Sequence, residues 1–273
     1  MNMLDKKTIT QIFTIVRQQS RETIRTNFRQ LQSQQIETKS SVTDLVTDCD
    51  KKVEQDLVEH LKPLFPDFVF MGEEMMSNES TFNPEHHDKL VVIDPIDGTY
   101  NFAHGIGVFG VMLAIRINKQ TVFSMLYDPI NDDWVWAQKG HGCYWQNSDG
   151  ERRDLVIGEK EGDYGFISPF LFDEDQTKPL MALMQDYKRT ISFGCSCHEY
   201  RGLLFGAGNF YLTQRKIKPW DHYAGLLAIT EAGGYAAYLD GESADTFVTG
   251  KNLLVTTSYD KWQYLSRHMQ TIL

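Results

Sequence analysis

Residues 94–99 read Asp-Pro-Ile-Asp-Gly-Thr and follow the apolar run Leu90-Val91-Val92-Ile93. A short buried strand therefore ends by presenting Asp94 and Asp97 on a turn that Gly98 lets close tightly. Carboxylates at a strand end are costly unless something cationic balances them. The usual balance is a hard metal ion, for which oxygen ligands are the right chemistry. Met71-Gly72-Glu73-Glu74 follows a second apolar run, Phe68-Val69-Phe70. Lys218-Pro219-Trp220-Asp221 opens a helical stretch that ends Glu231-Ala232-Gly233-Gly234. Three acidic sites at the edges of separate elements point to one metal centre assembled from distant parts of the chain.

Other readings of the hexapeptide compete with this one. A turn with solvated acids is the plain alternative, because Asp, Pro and Gly are common turn formers. An EF-hand fails, since the twelfth residue counted from Asp94 is Gly105 and not Glu. An aspartyl-phosphate nucleophile would need its partner acid two positions on. Here the spacing is three, which re-aims the second carboxylate and favours two metal ligands. No His-Glu-x-x-His, Gly-x-x-x-x-Gly-Lys-Ser/Thr, Gly-x-Gly-x-x-Gly or Gly-x-Ser-x-Gly occurs.

Composition narrows the class. Of 273 residues, 41% are hydrophobic and 23% charged, which excludes disordered and collagen-like chains. The net charge of −10 argues against nucleic acid or an anionic membrane as partner. It also means that an anionic substrate would need divalent cations between itself and the acids. No apolar run approaches the ~18 residues of a membrane span. Met1 to Lys7 is polar rather than an apolar signal core, so a cytoplasmic location is expected. Cys49, Cys143, Cys195 and Cys197 match no zinc spacing and read as reduced packing residues.

The elements that must position these acids can be read from periodicity. Ile9, Ile12, Phe13 and Val16, continued by Ile24, Phe28 and Leu31, predict a long amphipathic helix over 7–32. Residues 36–48 read as a loop or hairpin, and Val53, Leu57, Leu61 and Leu64 as a second helix stopping near Pro66. Residues 108–117, 121–127, 132–137 and 142–145 form an antiparallel meander. Trp134, Trp136, Tyr144 and Trp145 alternate along it as core or dimer surface. Beyond Gly162, strands near 166–168, 191–193, 211–212 and 235–239 alternate with helices near 178–186, 198–205, 221–232 and 259–272. The polar stretch 146–162 divides an N-terminal α+β half, residues 1–150, from a C-terminal α/β half, residues 151–273.

Asp94-Pro-Ile-Asp97-Gly98-Thr99, with Gly72-Glu73-Glu74 before it and Trp220-Asp221-x-x-Ala224-Gly225 and Glu231-Ala232-Gly233-Gly234 after it, resembles the inositol monophosphatase family. Lys39-Ser40-Ser41, Asp44-Leu45-Val46-Thr47 and Asp50 extend the match in the family's order. The resemblance implies a layered α-β-α-β-α sandwich of the inositol monophosphatase and fructose-1,6-bisphosphatase type. It implies two to three Mg²⁺ per subunit, held by Glu73, Asp94, the Ile96 carbonyl, Asp97 and Asp221, with Asp94 bridging. Thr99 and Asp50 resemble the pair that orients and deprotonates the attacking water, with Glu73 beside them. A helix N-cap is the alternative role for Thr99. Substrate contacts fall on Lys39, Ile96, Asp97, Gly98, Thr99, Gly194, Ser196, Gln214 and Asp221. Glu74, if extended, points away from the site, and His222 is expected to pack or cap.

Two departures bear on the substrate. Gln214 stands where inositol phosphatases carry an acid that binds a sugar hydroxyl. Arg215, Lys216 and Lys218 make that end basic, which suits a larger anion. Inositol monophosphate leads, ahead of NADP(H) and then sugar bisphosphates. The family also implies a lithium-sensitive homodimer.

Overall fold

A computed structural model describes residues 4–39, 45–76, 82–158, 163–214, 217–244 and 250–273. Helix α1 (Lys6–Gln19) runs on through a π-helical turn, Ser20–Arg25. It stops short of the expected Gln32 because Arg29 takes φ +63°, a left-handed conformation that ends helices. Strands β1 (Ile36–Thr38) and β2 (Leu45–Thr47) pair antiparallel as a hairpin. Helix α2 (Asp48–Leu61) begins at once. Thr47 caps it, and the Asp50 carboxylate returns to the Thr47 amide in a capping box.

β3 (Val69–Gly72) leads into the single turn α3 (Glu73–Met76). Then come β4 (Lys89–Asp97), the short helix α4 (Thr99–Ala103), β5 (Gly110–Ile117), β6 (Gln120–Asp128), β7 (Asp133–Gln138), β8 (Cys143–Asn147) and β9 (Arg152–Leu155). These seven strands form one sheet in the order β3-β4-β5-β6-β7-β8-β9, with only β3 and β4 parallel. β9 lies inside the polar stretch 146–162 and extends the meander by one strand.

The remaining chain is β10 (Tyr164–Ile167), α5 (Glu174–Met184), β11 (Arg189–Ile191), α6 (Ser196–Leu204), β12 (Phe210–Thr213), α7 (Pro219–Glu231), β13 (Tyr235–Tyr238), β14 (Leu253–Thr256) and α8 (Tyr259–Met269). Its strands form a five-stranded sheet, β11-β10-β12-β14-β13.

Both sheets are covered on both faces, which explains their nearly continuous apolar runs. One face of the first sheet, with Val91, Ile93, Leu113 and Met125, packs on Ile12, Val16, Val53 and Leu57 of α1 and α2. Successive residues alternate faces, so Leu90, Val92, Ala114 and Leu126 meet Tyr200, Leu203, Ala224 and Ala228 of α6 and α7. Those helices cover the second sheet through Phe166, Tyr211 and Val255. Its outer face packs on Leu180, Leu183, Leu265 and Met269 of α5 and α8. The result is the α-β-α-β-α order expected. Trp134 and Trp136 belong to the core against Phe13.

Candidate active site

In a regular strand, residues three apart point to opposite faces. β4 escapes this by a bulge: Asp94 pairs with Met112 and Asp97 with Gly110, three steps against two. The extra residue turns Asp97 towards Asp94. Gly98 then takes φ +87°, starting α4 immediately after the strand. Asp221 arrives from the first turn of α7, after Pro219. Oxygens of Asp94, Asp97 and Asp221 all lie within 4.8 Å of one another. Burial raises all three carboxyls above their ordinary range. Repulsion from Glu73, Asp97 and Asp221 adds to it at Asp94, and repulsion from Asp97 and Glu73 adds to it at Asp221. At Asp97 the amide of Cys197 and the Cys195 thiol, 3.1 Å away, oppose the rise.

These acids close one end of a cavity of about 480 Å³. Glu73, Gly98 and Thr99 also line that end, while Leu45, Tyr100, Asn101, Phe170, Ser192, Phe193 and Gly194 form the walls. Thr99 is the first residue of α4 and not its cap, a position held by Gly98. Its hydroxyl lies 3.0 Å from Asp50 Oδ1 and 3.0 Å from the Ile96 carbonyl. Asp50 is fully buried behind it, its other oxygen held by the Thr47 amide at 2.9 Å. Burial pushes the Asp50 carboxyl up to about 6, against the Thr47 and Thr99 hydrogen bonds.

Other expected residues stand further back. Lys39 does not line the cavity. Its ammonium lies 2.9 Å from Glu73 and 2.6 Å from Glu74. Burial pulls the Lys39 pKa down, the two glutamates outweigh it, and the net shift is upward. The picture of an extended Glu74 is corrected here: α3 is helical, so both glutamates reach the same lysine. Ser196 opens α6, its hydroxyl 3.2 Å from that of Tyr211. Gln214 is buried, with Nε2 3.4 Å from the Gly250 carbonyl, and Oε1 has no hydrogen-bond partner among the described residues. Arg215, Lys216, Ser40, Ser41 and Asp44 lie outside the described residues. His222 packs, its Nδ1 2.9 Å from the Tyr200 hydroxyl, and burial lowers it to about 3. All four cysteines are free and buried.

Of the wall residues, sequence reasoning named Gly194 as a substrate contact and missed the others. Asn101 and Phe193 are one example: the Asn101 amide donates to the Val108 and Phe193 carbonyls, at 2.8 and 2.7 Å, and so ties α4 to the far wall. Nothing local to Asn101 announces that contact.

A five-layer sandwich with acids converging at a strand end defines a class of metal-assisted hydrolases. An all-oxygen donor set of mutually repelling, buried carboxylates fits a hard divalent cation such as Mg²⁺. The chain belongs to the inositol monophosphatase family, whose model matches residues 5–272. It is 31% identical over 218 residues to a fructose-1,6-bisphosphatase/inositol-1-monophosphatase of Thermotoga maritima, covering 78% of each chain. It is 30% identical over 225 residues to an inositol-1-monophosphatase of Bacillus subtilis, covering 80% of this chain and 81% of the relative. Among solved structures, an IMPase of Thermotoga maritima superposes with a TM-score of 0.78 at 25% identity, covering 96% of this chain and 97% of that one. The family is metal-dependent; its members are phosphatase hydrolases, and this protein is a phosphatase hydrolase. Among the described residues, no helix is long and apolar enough to cross a membrane.

Proposed function

We propose that the enzyme hydrolyses inositol monophosphate to inositol and phosphate, with Mg²⁺ as cofactor. The observation that carries this is the convergence of Asp94, Asp97 and Asp221 beside the Thr99–Asp50 pair at one end of a single cavity. Asp94, Asp97, Asp221, Glu73 and the Ile96 carbonyl are the ligands for two to three ions. When bound, Mg²⁺ supplies the charge that reconciles these acids with an anionic substrate and polarises a phosphate oxygen.

The chain's own residues supply the proton path. The Thr99 hydroxyl donates to Asp50 and so keeps a lone pair for a water in the cavity. Glu73, which lines the same end of the cavity, holds that water with Thr99. The water oxygen bonds to phosphorus as the ester P–O bond breaks. The water's proton passes through the Thr99 hydroxyl to Asp50, the leaving alkoxide takes a proton from a second water supplied by solvent, and Asp50 returns its proton to solvent. The Gly98 and Thr99 amides at the start of α4 face the phosphate. Gly194, on the cavity wall, contacts the ring; Ser196 and Gln214 stand behind that lining.

One observation favours a second substrate, the 2'-phosphate of NADP(H). Phe170 is 57% exposed while lining the cavity, and so offers a ring face to a planar group. A cytoplasmic homodimer completes the reading. The test is phosphate release with Mg²⁺ on inositol 1-phosphate, NADP⁺ and fructose 1,6-bisphosphate in parallel. Preference for the first supports the proposal. Preference for NADP⁺ transfers it to the second reading, and no turnover on any refutes both.

A further inference from the structure

Glu54 is a buried acid that the proposed chemistry does not use. It sits on α2, one helical turn after Asp50 and on the same side. Only 3% of it is exposed. Its carboxylate faces the start of α3: Oε2 accepts from the Glu74 amide at 2.8 Å and Oε1 from the Met75 amide at 2.7 Å. Burial lifts the Glu54 carboxyl to about 7 in spite of those two donors.

α3 is four residues long, far below the length at which a helix holds itself. It turns directly out of β3 and begins with Glu73. Something outside it must fix its orientation, and Glu54 holds two of its successive amides. Gly72 is shaped to the same contact. A Cβ there would lie 2.1 Å from Glu54 Oε2 and 2.3 Å from its Cδ. The strand therefore passes the carboxylate with no side chain between them.

We infer that Glu54 is a positioning residue for Glu73. By gripping the amides of Glu74 and Met75, it sets the angle at which α3 presents the Glu73 carboxylate to the cavity. α2 thus braces both sides of the site: Asp50 stands behind Thr99, and Glu54 stands behind Glu73. Partners that orient ligands typically matter by 10–100-fold in metal affinity. This inference rests on the reading of Glu73 as a metal ligand.

The experiment is Mg²⁺ titration by calorimetry on full-length wild type, Glu54→Gln, Gly72→Ala and Glu73→Gln, with melting temperatures of the metal-free proteins. Gln keeps the volume of Glu54 but turns an NH₂ towards one amide. Gly72→Ala leaves Glu54 intact and pushes it aside, so the two variants reach the contact from opposite sides. Both should weaken Mg²⁺ binding by roughly tenfold or more. The Glu54→Gln/Glu73→Gln double variant should bind no more weakly than Glu73→Gln alone, because Glu54 acts through Glu73. Lower metal-free melting temperatures with unchanged Mg²⁺ affinity in both variants would reduce Glu54 to a structural role and overturn the inference. Additive losses in the double variant would overturn it too. If Glu73→Gln itself binds Mg²⁺ normally, the ligand reading falls first, and this inference with it.

Discussion

The tripeptide Asp-Pro-Ile occurs twice, at 94–96 and at 128–130, each time where a strand of the same sheet ends. Locally the two turns are alike. The Ile96 amide donates to Asp94 Oδ1 at 3.1 Å, and the Ile130 amide donates to Asp128 Oδ1 at 2.9 Å. Each is followed by further polar residues, Asp97 in one case and Asn131, Asp132 and Asp133 in the other. What differs is what tertiary structure brings alongside. Arg17 and Arg21 reach Asp132, with closest approaches of 2.6 and 2.9 Å, and Arg201 pairs with Asp133. Among the described residues no ion pair reaches Asp94, Asp97 or Asp221; Glu73 and Asp221 arrive instead, and Lys218 acts on Asp221 only from a distance. Acids matched by guanidinium groups hold a turn together. Acids gathered against each other under burial wait for a cation from solution.

The largest expected effect separates the two turns by function. Asp94→Asn should cut kcat/KM roughly 10³-fold, since metal-assisted charge stabilisation is worth several kcal/mol and each ~1.4 kcal/mol is tenfold. Asp128→Asn should leave turnover of the folded enzyme near normal while lowering its melting temperature, because it loosens the turn held at Ile130 and Asn131. Phosphate-release kinetics with parallel thermal melts decide it. Equal catalytic losses in both variants would dissolve the distinction.

Arg201 tests the structural turn from its partner's side. It is 4% exposed, and besides Asp133 it donates to the Leu126 carbonyl at 3.0 Å. Arg201→Met strands the part-buried Asp133 carboxylate and the buried Asp128 carboxylate 3.8 Å away, and should cost about 3–5 kcal/mol in urea unfolding. A loss below ~1 kcal/mol would mean that the pair contributes no more than a surface contact.

The likeness of the two turns also explains what the sequence revealed and what it hid. The acids, their strand ends and the helix carrying Asp221 are local patterns, so their positions were legible. The bulge that aligns Asp97 with Asp94 depends on pairing with Gly110 and Met112, which no local pattern encodes. β9, Arg-Arg-Asp-Leu, was hidden because an exposed edge strand can be polar. β14, Leu-Leu-Val-Thr, was hidden because a strand buried on both faces shows no alternation. Glu54 looked like an ordinary acid on a helix. Only the fold places its carboxylate against α3.

The same contrast should appear as opposite responses to pH. Glu199 follows the rule of the site: fully buried, it accepts from the Phe193 amide and the Ser168 hydroxyl, each at 3.2 Å, and burial lifts it to about 7. A carboxyl raised above its unfolded value near 4.5 contributes stability that is complete at low pH and lost as pH climbs through 7. Across that window the loss is roughly 3 kcal/mol. Glu199→Gln should therefore show a flatter fall in melting temperature between pH 5 and 8 than the wild type. Asp132 follows the rule of the matched turn. Burial works to raise it, yet hydrogen bonds from Arg17 and Tyr127 hold it at about 2. Its contribution is present above the unfolded value near 3.8 and disappears as pH falls towards 2. Solvent reaches this pair, so its share is about 1 kcal/mol or less. Asp132→Asn should destabilise slightly at neutral pH and converge on the wild type near pH 2, measured by urea unfolding across that range. A wild-type advantage that persists undiminished at pH 2 would mean that the turn is held by shape and not by charge.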